Sequence, residues 1–124
     1  MNSVLLVTEG DARRIYNLNE KKEWERGRPH ENNRPDIELS DRSVSRRQGR
    51  LQNIDGVWFY LDNNKGNGSI HNGKRIDAGL KGRIRPILLE DGDILEFGCR
   101  KNGEDVVTVA KAKYVADWTE GQKS

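Results

Sequence analysis

Residues 50–61 read RLQNIDGVWFYL, two short β-type runs on either side of the dipeptide Asp55-Gly56. Asp and Gly both tolerate the positive φ that a tight hairpin turn requires. A dipeptide of this kind between two apolar runs is a strong hairpin signal. The segment therefore predicts a β-hairpin of Arg50–Ile54 with Val57–Leu61.

The second run of this hairpin is almost entirely apolar or aromatic. Successive side chains of a strand point to opposite faces of the sheet. Val57, Phe59 and Leu61 are therefore expected to share one face, with Trp58 and Tyr60 on the other. Because large apolar side chains are most often buried, we interpret all five first as core residues.

Similar β-type runs recur along the whole chain, and long stretches of helical periodicity are missing. Turn dipeptides lie between the runs, at Asn67-Gly68, Asn72-Gly73 and Asp91-Gly92. This spacing predicts an all-β sandwich or barrel. The further predicted strands are Val4–Val7, Arg13–Leu18, Glu23–Gly27, Asp36–Leu39, Ser69–His71, Ile94–Phe97 and Val106–Ala110.

The composition fits one small intracellular domain. The chain has 124 residues, of which 33% are hydrophobic and 34% charged, and this length leaves room for one domain. The single cysteine, Cys99, cannot form an internal disulfide, which is typical of a reducing, cytoplasmic setting. No apolar run reaches the length of a signal peptide or a membrane span, so no membrane association is expected.

The end of the chain loses the strand pattern. We expect a binding domain at residues 1–111, followed by a C-terminal tail or short docking helix at residues 112–124. Tyr114, Val115 and Trp118 are the apolar residues through which such a helix would pack on the sandwich.

Two predicted loops carry an unusual concentration of hydrogen-bond donors. The first, Asp41–Arg50, has four arginines and one acid, and the second, Asp62–Ser69, is rich in Asn and Gly. The dipeptide Gly27-Arg28 lies upstream of both. Guanidinium forks, hydroxyls, an ammonium group and main-chain N–H groups together suit a phosphate dianion, which accepts several charge-assisted hydrogen bonds.

In their order along the chain, these pieces resemble the motifs of the forkhead-associated (FHA) domain family. That family is marked by Gly-Arg at a strand end, Ser-x-x-His, a Ser-x-Asn-Gly turn and a second Asn-Gly. The corresponding segments here are Gly27-Arg28, Ser45–Gln48, Lys65–Gly68 and Asn72-Gly73. Leu89–Gly98 resembles the closing strand of the family, and the resemblance spans Glu25 to Gly98.

The resemblance implies a β-sandwich of about eleven strands, of the SMAD/FHA type, whose loops at one end recognise phosphothreonine peptides. By position, Arg28 and Ser45 would bind the phosphate, with Arg46 as a further contact. Asn67 would hydrogen-bond the peptide backbone beside the phosphothreonine. The implied partner is a phosphothreonine-containing protein, such as a Ser/Thr kinase or a kinase substrate in a signalling pathway, and no cofactor or metal is implied.

The sequence departs from the family pattern at three positions. Gln48 stands where the family has a buried histidine that braces the binding loops, and its carboxamide can both donate and accept hydrogen bonds. Lys65 replaces a serine and would supply a compensating positive charge to the phosphate site that the resemblance implies. Gly66 replaces a threonine or serine and would still offer its main-chain N–H to the phosphate.

Two other binding functions stay open. The first is a degenerate FHA-like scaffold that binds a protein partner independently of phosphate. The second is a nucleic-acid-binding β domain, with Arg42–Arg50 as the basic surface and Trp58 and Tyr60 as stacking faces. Against nucleic acid, the net charge is only +2 and acidic residues are scattered through the chain.

An enzyme is not expected. The two histidines, His30 and His71, each lie in a polar turn without an obvious catalytic partner. Cys99 has no neighbouring histidine in the sequence, and no cluster of residues has the spacing of metal ligands. The sequence therefore favours a binding module.

Overall fold

A computed structural model gives the structure of the protein and describes residues 2–30, 34–40, 49–63, 69–76, 86–103 and 105–119. Within these ranges the chain forms eleven β-strands in two sheets, with one 3₁₀ turn at Leu18–Glu20. The predicted all-β sandwich is confirmed. The strands are β1 (Val4–Glu9), β2 (Ala12–Asn17), β3 (Glu23–Gly27), β4 (Ile37–Glu38), β5 (Gly49–Ile54), β6 (Val57–Asp62), β7 (Ser69–His71), β8 (Lys74–Arg75), β9 (Ile87–Leu88), β10 (Ile94–Asn102) and β11 (Asp105–Val115).

The two sheets differ in strand order and in direction. The six-stranded sheet has the order β2-β1-β11-β10-β7-β8, and its strand pairs are antiparallel. The five-stranded sheet has the order β4-β3-β5-β6-β9, in which β3 and β4 run parallel while the other pairs are antiparallel. The chain crosses between the sheets several times, so residues distant in sequence meet at the ends of the sandwich.

The hairpin at residues 50–61 forms as predicted. β5 pairs with β6 from Gly49 opposite Asp62 to Ile54 opposite Val57. The turn residues Asp55 and Gly56 have φ of 52° and 84°. Two consecutive positive φ values are the feature of a type I′ turn, for which Asp-Gly is a preferred sequence.

The core lies between the sheets. Trp58 and Tyr60 of β6 are 2% and 0% exposed, and Leu95 and Phe97 of β10 are both fully buried. The predicted alternation of β6 holds from Val57 to Tyr60, with Trp58 and Tyr60 on its core face, whereas Leu61 is buried as well, at 8% exposed. Val57 is 40% exposed, so its assignment to the core is wrong. It pairs with Ile54 on the outer face of the sheet, where Ile54 is also exposed.

The sequence did not predict β8 and β9, and it predicted an earlier end for β11. That strand continues to Val115, so the predicted boundary after residue 111 falls within a strand. Ala112 and Tyr114 are buried and pair with β1, while Lys111 and Lys113 are exposed. Alanine and lysine in alternation give a weak apolar signal, which hid the strand from the sequence pattern. No helix in the described part of the chain has the length and apolar character to cross a bilayer.

The carboxylate of Asp93 contacts residues of the Asn72-Gly73 hairpin and stabilises its turn. Asn72 and Gly73 have φ of 48° and 84°, as in the first hairpin. The Asn72 side chain donates to Asp93 Oδ1 at 2.9 Å, and Asp93 Oδ2 lies 3.0 Å from His71 Nε2 and 3.0 Å from the Glu90 main-chain nitrogen. Although burial by itself raises the pKa of Asp93, these hydrogen bonds outweigh that effect and lower it below the ordinary value.

We expect this carboxylate to contribute to stability above its ordinary pKa of 3.8, with the contribution lost as the pH falls through the lower folded value. The sign follows because the unfolded chain takes up the proton first. Urea unfolding of the wild type and of Asp93→Asn, from pH 6 to pH 2, measures the effect. The variant should lose about 1 kcal/mol near neutrality and show a shallower acid dependence. The same dependence of the unfolding free energy on pH in both proteins, between pH 6 and pH 2, would contradict this role.

Candidate functional site

Arg28, the predicted phosphate ligand, follows directly on β3 and is partly exposed. The residue before it, Gly27, is held in place by its pairing with β4. Gly27 pairs with Glu38, and its carbonyl accepts a hydrogen bond of 2.8 Å from the Leu39 main-chain nitrogen. Arg28 therefore leaves the end of the five-stranded sheet from a well-defined backbone position.

The described residues on either side of segment 41–48, which contains the predicted ligand Ser45, lie at the end of β3 that precedes Arg28. The segment begins after Ser40, one residue beyond the Leu39 that hydrogen-bonds to Gly27. It ends before Gly49, the first residue of β5, which pairs with Arg26 of β3. Both described flanks of this segment thus lie at the same end of the sandwich as Arg28.

The described residues on either side of segment 64–68, which contains the predicted ligand Asn67, lie at this end of the sandwich as well. The last residue of β6, Asp62, pairs with Gly49. The first residue of β7, Ser69, donates through Oγ to Asp62 Oδ1 at 2.6 Å. The end of β6 in one sheet therefore contacts the start of β7 in the other. The described flanks of the two donor-rich segments lie together at this end of the sandwich.

The remaining predicted site residues lie outside the described residues. They are Ser45, Arg46, Lys65, Gly66 and Asn67, together with Gln48. Arg28 is the one predicted ligand within the described ranges.

Glu9, the last residue of β1 in the six-stranded sheet, accepts hydrogen bonds from Ser40, the residue before segment 41–48. Its two carboxylate oxygens lie 3.1 and 2.9 Å from the main-chain nitrogen of Ser40. Arg14 Nη2 lies 3.6 Å from one of the same oxygens. The sequence analysis did not single out Glu9, because its partner is thirty-one positions away in the chain.

A buried polar cluster lies beneath these flanks, and we call it the Arg26 cluster: Arg26, Tyr60, Asp62 and Ser69. Arg26, Ser69 and Tyr60 are 0% exposed and Asp62 is 1% exposed. Arg26 Nη2 lies 2.5 Å from Tyr60 Oη, 2.8 Å from Ser69 Oγ and 3.2 Å from Asp62 Oδ1. Asp62 Oδ1 also accepts hydrogen bonds from the Tyr60 and Ser69 hydroxyls, at 2.7 and 2.6 Å.

The guanidinium of Arg26 also packs on an aromatic ring. Its Cζ lies 3.4 Å from the centroid of the Phe97 ring, which belongs to the opposite sheet. A cation over an aromatic face is attracted by the negative charge density of the ring, and the attraction is strongest where water is excluded. Arg26 therefore joins β3 and β6 of one sheet to β7 and β10 of the other.

Burial perturbs both titratable donors of the cluster. Desolvation lowers the pKa of Arg26, against the opposing effects of Tyr60 and Asp62, but a guanidinium remains protonated in proteins. Burial raises the pKa of the Tyr60 phenol, so its hydroxyl keeps the proton that it donates to Asp62. The cluster is consequently an ion pair of no net charge, whose two members are 3.2 Å apart.

The sequence contains a signal for the burial of Arg26. In β3, Trp24 is 6% exposed, Glu25 is only partly buried and Arg26 is 0% exposed, so the strand alternates regularly. The period of two would have assigned Arg26 to the core face. A charged residue on a predicted core face indicates a buried partner of opposite charge.

The structure removes part of the support for two alternative functions, nucleic-acid binding and catalysis. Trp58 and Tyr60 are buried, so they are not available as stacking faces for nucleic-acid bases. His71 has a partner, Asp93, but the pair holds the Asn72-Gly73 turn. In the described parts of the chain, no three His, Cys, Asp or Glu side chains are grouped to hold a metal ion.

Comparison with protein families assigns the fold. The sequence model of the FHA domain matches residues 24–98, which is more than half of the chain. This chain belongs to the FHA domain family. The match includes Arg26, Arg28 and both donor-rich segments. A comparison of this FHA domain with curated proteins finds no significant match.

Solved FHA domains have the same fold at low sequence identity. The FHA domain of the CT664 protein from Chlamydia trachomatis has a TM-score of 0.69 and 21% identity, over 96% of this chain and 100% of that one. The N-terminal FHA domain of Rad53p from S. cerevisiae, solved in complex with a phosphothreonine peptide, has a TM-score of 0.65 and 22% identity, over 93% of each chain. The FhaA FHA domain, solved with the intracellular domain of Rv3910, has a TM-score of 0.65 and 21% identity, over 90% of this chain and 98% of that one. FHA domains are interaction modules rather than enzymes.

Proposed function

We propose that this FHA domain recognises a phosphothreonine-containing segment of a partner protein. In this proposal Arg28 and Ser45 bind the phosphate, with Arg46, Lys65 and Gly66 as further donors. Asn67 hydrogen-bonds the peptide backbone next to the phosphothreonine. The partner is a Ser/Thr kinase or one of its substrates, and the encounter takes place in the cytoplasm, a setting that the single cysteine, Cys99, supports.

One observation carries the proposal. Arg28 and the described flanks of both donor-rich segments, residues 40, 49, 63 and 69, lie at one end of the sandwich. An arginine at a strand end, next to two segments rich in hydroxyl, cationic and main-chain N–H donors, suits a dianion with several acceptor oxygens. The phosphothreonine complex of the Rad53p FHA domain, a member of the same family, supports the choice of ligand.

The expected discrimination between phosphorylated and plain peptide is large. A hydrogen bond to a charged group is worth about 1.5 kcal/mol or more. Loss of one such bond from Arg28 and one from Ser45 would lower the affinity roughly a hundredfold. A neutral threonine hydroxyl cannot recover this energy, because it accepts fewer and weaker hydrogen bonds than a dianion.

Titration of fluorescent peptides that carry phosphothreonine, phosphoserine or threonine tests the proposal. We expect the wild type to bind the phosphothreonine peptide, and Arg28→Ala to lower that affinity roughly a hundredfold because a bidentate fork to phosphate is lost. Lys22→Ala is the matched control. It removes one exposed cation at the opposite end of β3, where the Lys22 carbonyl accepts from Asn53, and should leave affinity unchanged.

Other results would favour the alternatives. Equal affinity for phosphorylated and plain peptides would identify a phosphate-independent scaffold. Tight binding of a single-stranded oligonucleotide, with a steep dependence on salt concentration, would identify a nucleic-acid-binding domain. Either outcome would contradict phosphothreonine recognition as the function.

A further inference from the structure

We propose that Arg26 is a positioning residue for the phosphopeptide site, acting through Asp62 and Ser69. The inference rests on the proposed function and adds a residue to it. Arg26 is 0% exposed, so it is not itself a surface ligand for the peptide. Its effect on binding comes from the backbone positions that its hydrogen bonds fix.

The guanidinium contacts a described residue on each side of segment 64–68. Asp62 is the last residue of β6 before this segment, and Ser69 is the first residue of β7 after it. Arg26 Nη2 donates to both side chains, which also hydrogen-bond to each other. The residues that flank the segment with the predicted Asn67 are thus hydrogen-bonded to one buried guanidinium.

The same residue is linked to the other parts of the site through the backbone. Arg26 precedes Arg28 by two residues in the chain, with Gly27 between them. It also pairs with Gly49, the first residue after segment 41–48. A displacement of Arg26 would therefore move the base of Arg28 and the flanks of both donor-rich segments together.

The buried Arg26–Asp62 ion pair is better explained by the strand positions that it fixes than by a gain in the free energy of unfolding. Two charges lose their hydration when they are buried, and apolar residues of similar volume often stabilise a fold equally well or better. What apolar residues cannot supply is a set of directional bonds that joins three strand ends. Pre-formed binding loops gain affinity because less ordering is required when the ligand binds.

One donor of Arg26 supports a link to the bound state. Its Nη1 is buried and has no hydrogen-bond partner among the described residues. Buried donors in native structures are normally satisfied. We expect this N–H to gain a partner, a main-chain carbonyl or a water molecule, when the phosphopeptide binds.

The test separates positioning from stability. In Arg26→Leu with Asp62→Asn, both charges are removed together, and the asparagine oxygen still accepts from Tyr60 and Ser69. We expect this double variant to fold, as judged by circular dichroism and a cooperative thermal transition. Its affinity for the phosphothreonine peptide should nevertheless fall by roughly tenfold or more, because the strand ends are no longer fixed together.

Val4→Ala is the matched control for general destabilisation. Val4 is 2% exposed at the start of β1, beside Ser3 and away from residues 28, 49 and 62. This variant should have a lower melting temperature and wild-type peptide affinity. An equal loss of affinity in Val4→Ala would show that any weakening of the core reduces binding, which would overturn the specific role of Arg26.

A spectroscopic measurement on the wild type completes the test. The side-chain Nε–H resonance of Arg26 should shift when phosphothreonine peptide is added and stay in place with unphosphorylated peptide. An unshifted resonance at saturation, or a folded double variant with wild-type affinity, would overturn the positioning role alone. A wild type that does not bind the phosphothreonine peptide would overturn the proposed function and this role together.

Discussion

Gly49→Ala is expected to destabilise the domain by about 3 kcal/mol or more, at the upper end of the usual cost of overpacking a core. A Cβ at this position would lie 2.4 Å from Tyr60 Oη and 2.8 Å from both Tyr60 Cζ and the carbonyl oxygen of Leu61. Neither neighbour can move freely. Tyr60 is held by hydrogen bonds to Arg26 and Asp62, and the Leu61 oxygen belongs to the backbone of β6.

Urea unfolding of Gly49→Ala beside Gly56→Ala measures this effect. Gly56 has a φ of 84° and open space around its missing Cβ, so alanine there costs only backbone strain of about 1–2 kcal/mol. A second comparison uses Tyr60→Phe, which removes the nearest oxygen, together with its hydrogen bonds to Arg26 and Asp62, but leaves Cζ and the Leu61 carbonyl. Gly49→Ala should cost less stability in the Tyr60→Phe background than in the wild type. A Gly49→Ala protein as stable as Gly56→Ala would contradict the steric argument.

Phe97→Ala is expected to lower the free energy of unfolding by about 3–5 kcal/mol. Phe97 is fully buried, and its ring centroid lies 5.8 Å from that of Tyr60. The ring also forms the surface on which the Arg26 guanidinium packs. Truncation would therefore open a cavity in the core and expose one face of a buried cation to that cavity.

Phe97→Leu distinguishes the two contributions. Leucine keeps most of the apolar volume but has no aromatic face, so the remaining loss should include a cation–π contribution of about 2 kcal/mol in this desolvated site. Leu95→Ala, two residues earlier on the same face of β10, is a core truncation that we expect to cost about 2–5 kcal/mol. A double-mutant cycle of Phe97→Leu with Arg26→Met measures the coupling between ring and guanidinium. A coupling energy near zero would contradict the contact.

Substitutions at different positions should thus affect either peptide affinity or the stability of the fold. Arg28 is a partly exposed residue at a strand end, so its removal should weaken phosphopeptide binding with little effect on unfolding. Phe97 and Gly49 lie below the surface, and their replacement acts first on the fold. Arg26 lies between these cases, because it is buried like Phe97 but is linked to both flanks of segment 64–68.

The amino-acid sequence alone determined the fold class, the course of the Arg50–Leu61 hairpin and the order of the motifs that assigned the family. These features are local: a positive φ at Asp55-Gly56 and an alternation of period two are properties of adjacent residues. The two-residue strands β8 and β9 were not predictable in this way, because each exists only through pairing with a neighbouring strand.

Only the tertiary structure decided that Asp62 and Ser69 are the partners of the buried Arg26. Ser69 is forty-three positions from Arg26 in the chain, and the two residues belong to different sheets. The cost of burying a guanidinium depends on acceptors that such distant strands bring to it, not on its neighbours in sequence. For this reason the position of Arg28 at a strand end was predictable from its motif, whereas the support beneath it was not.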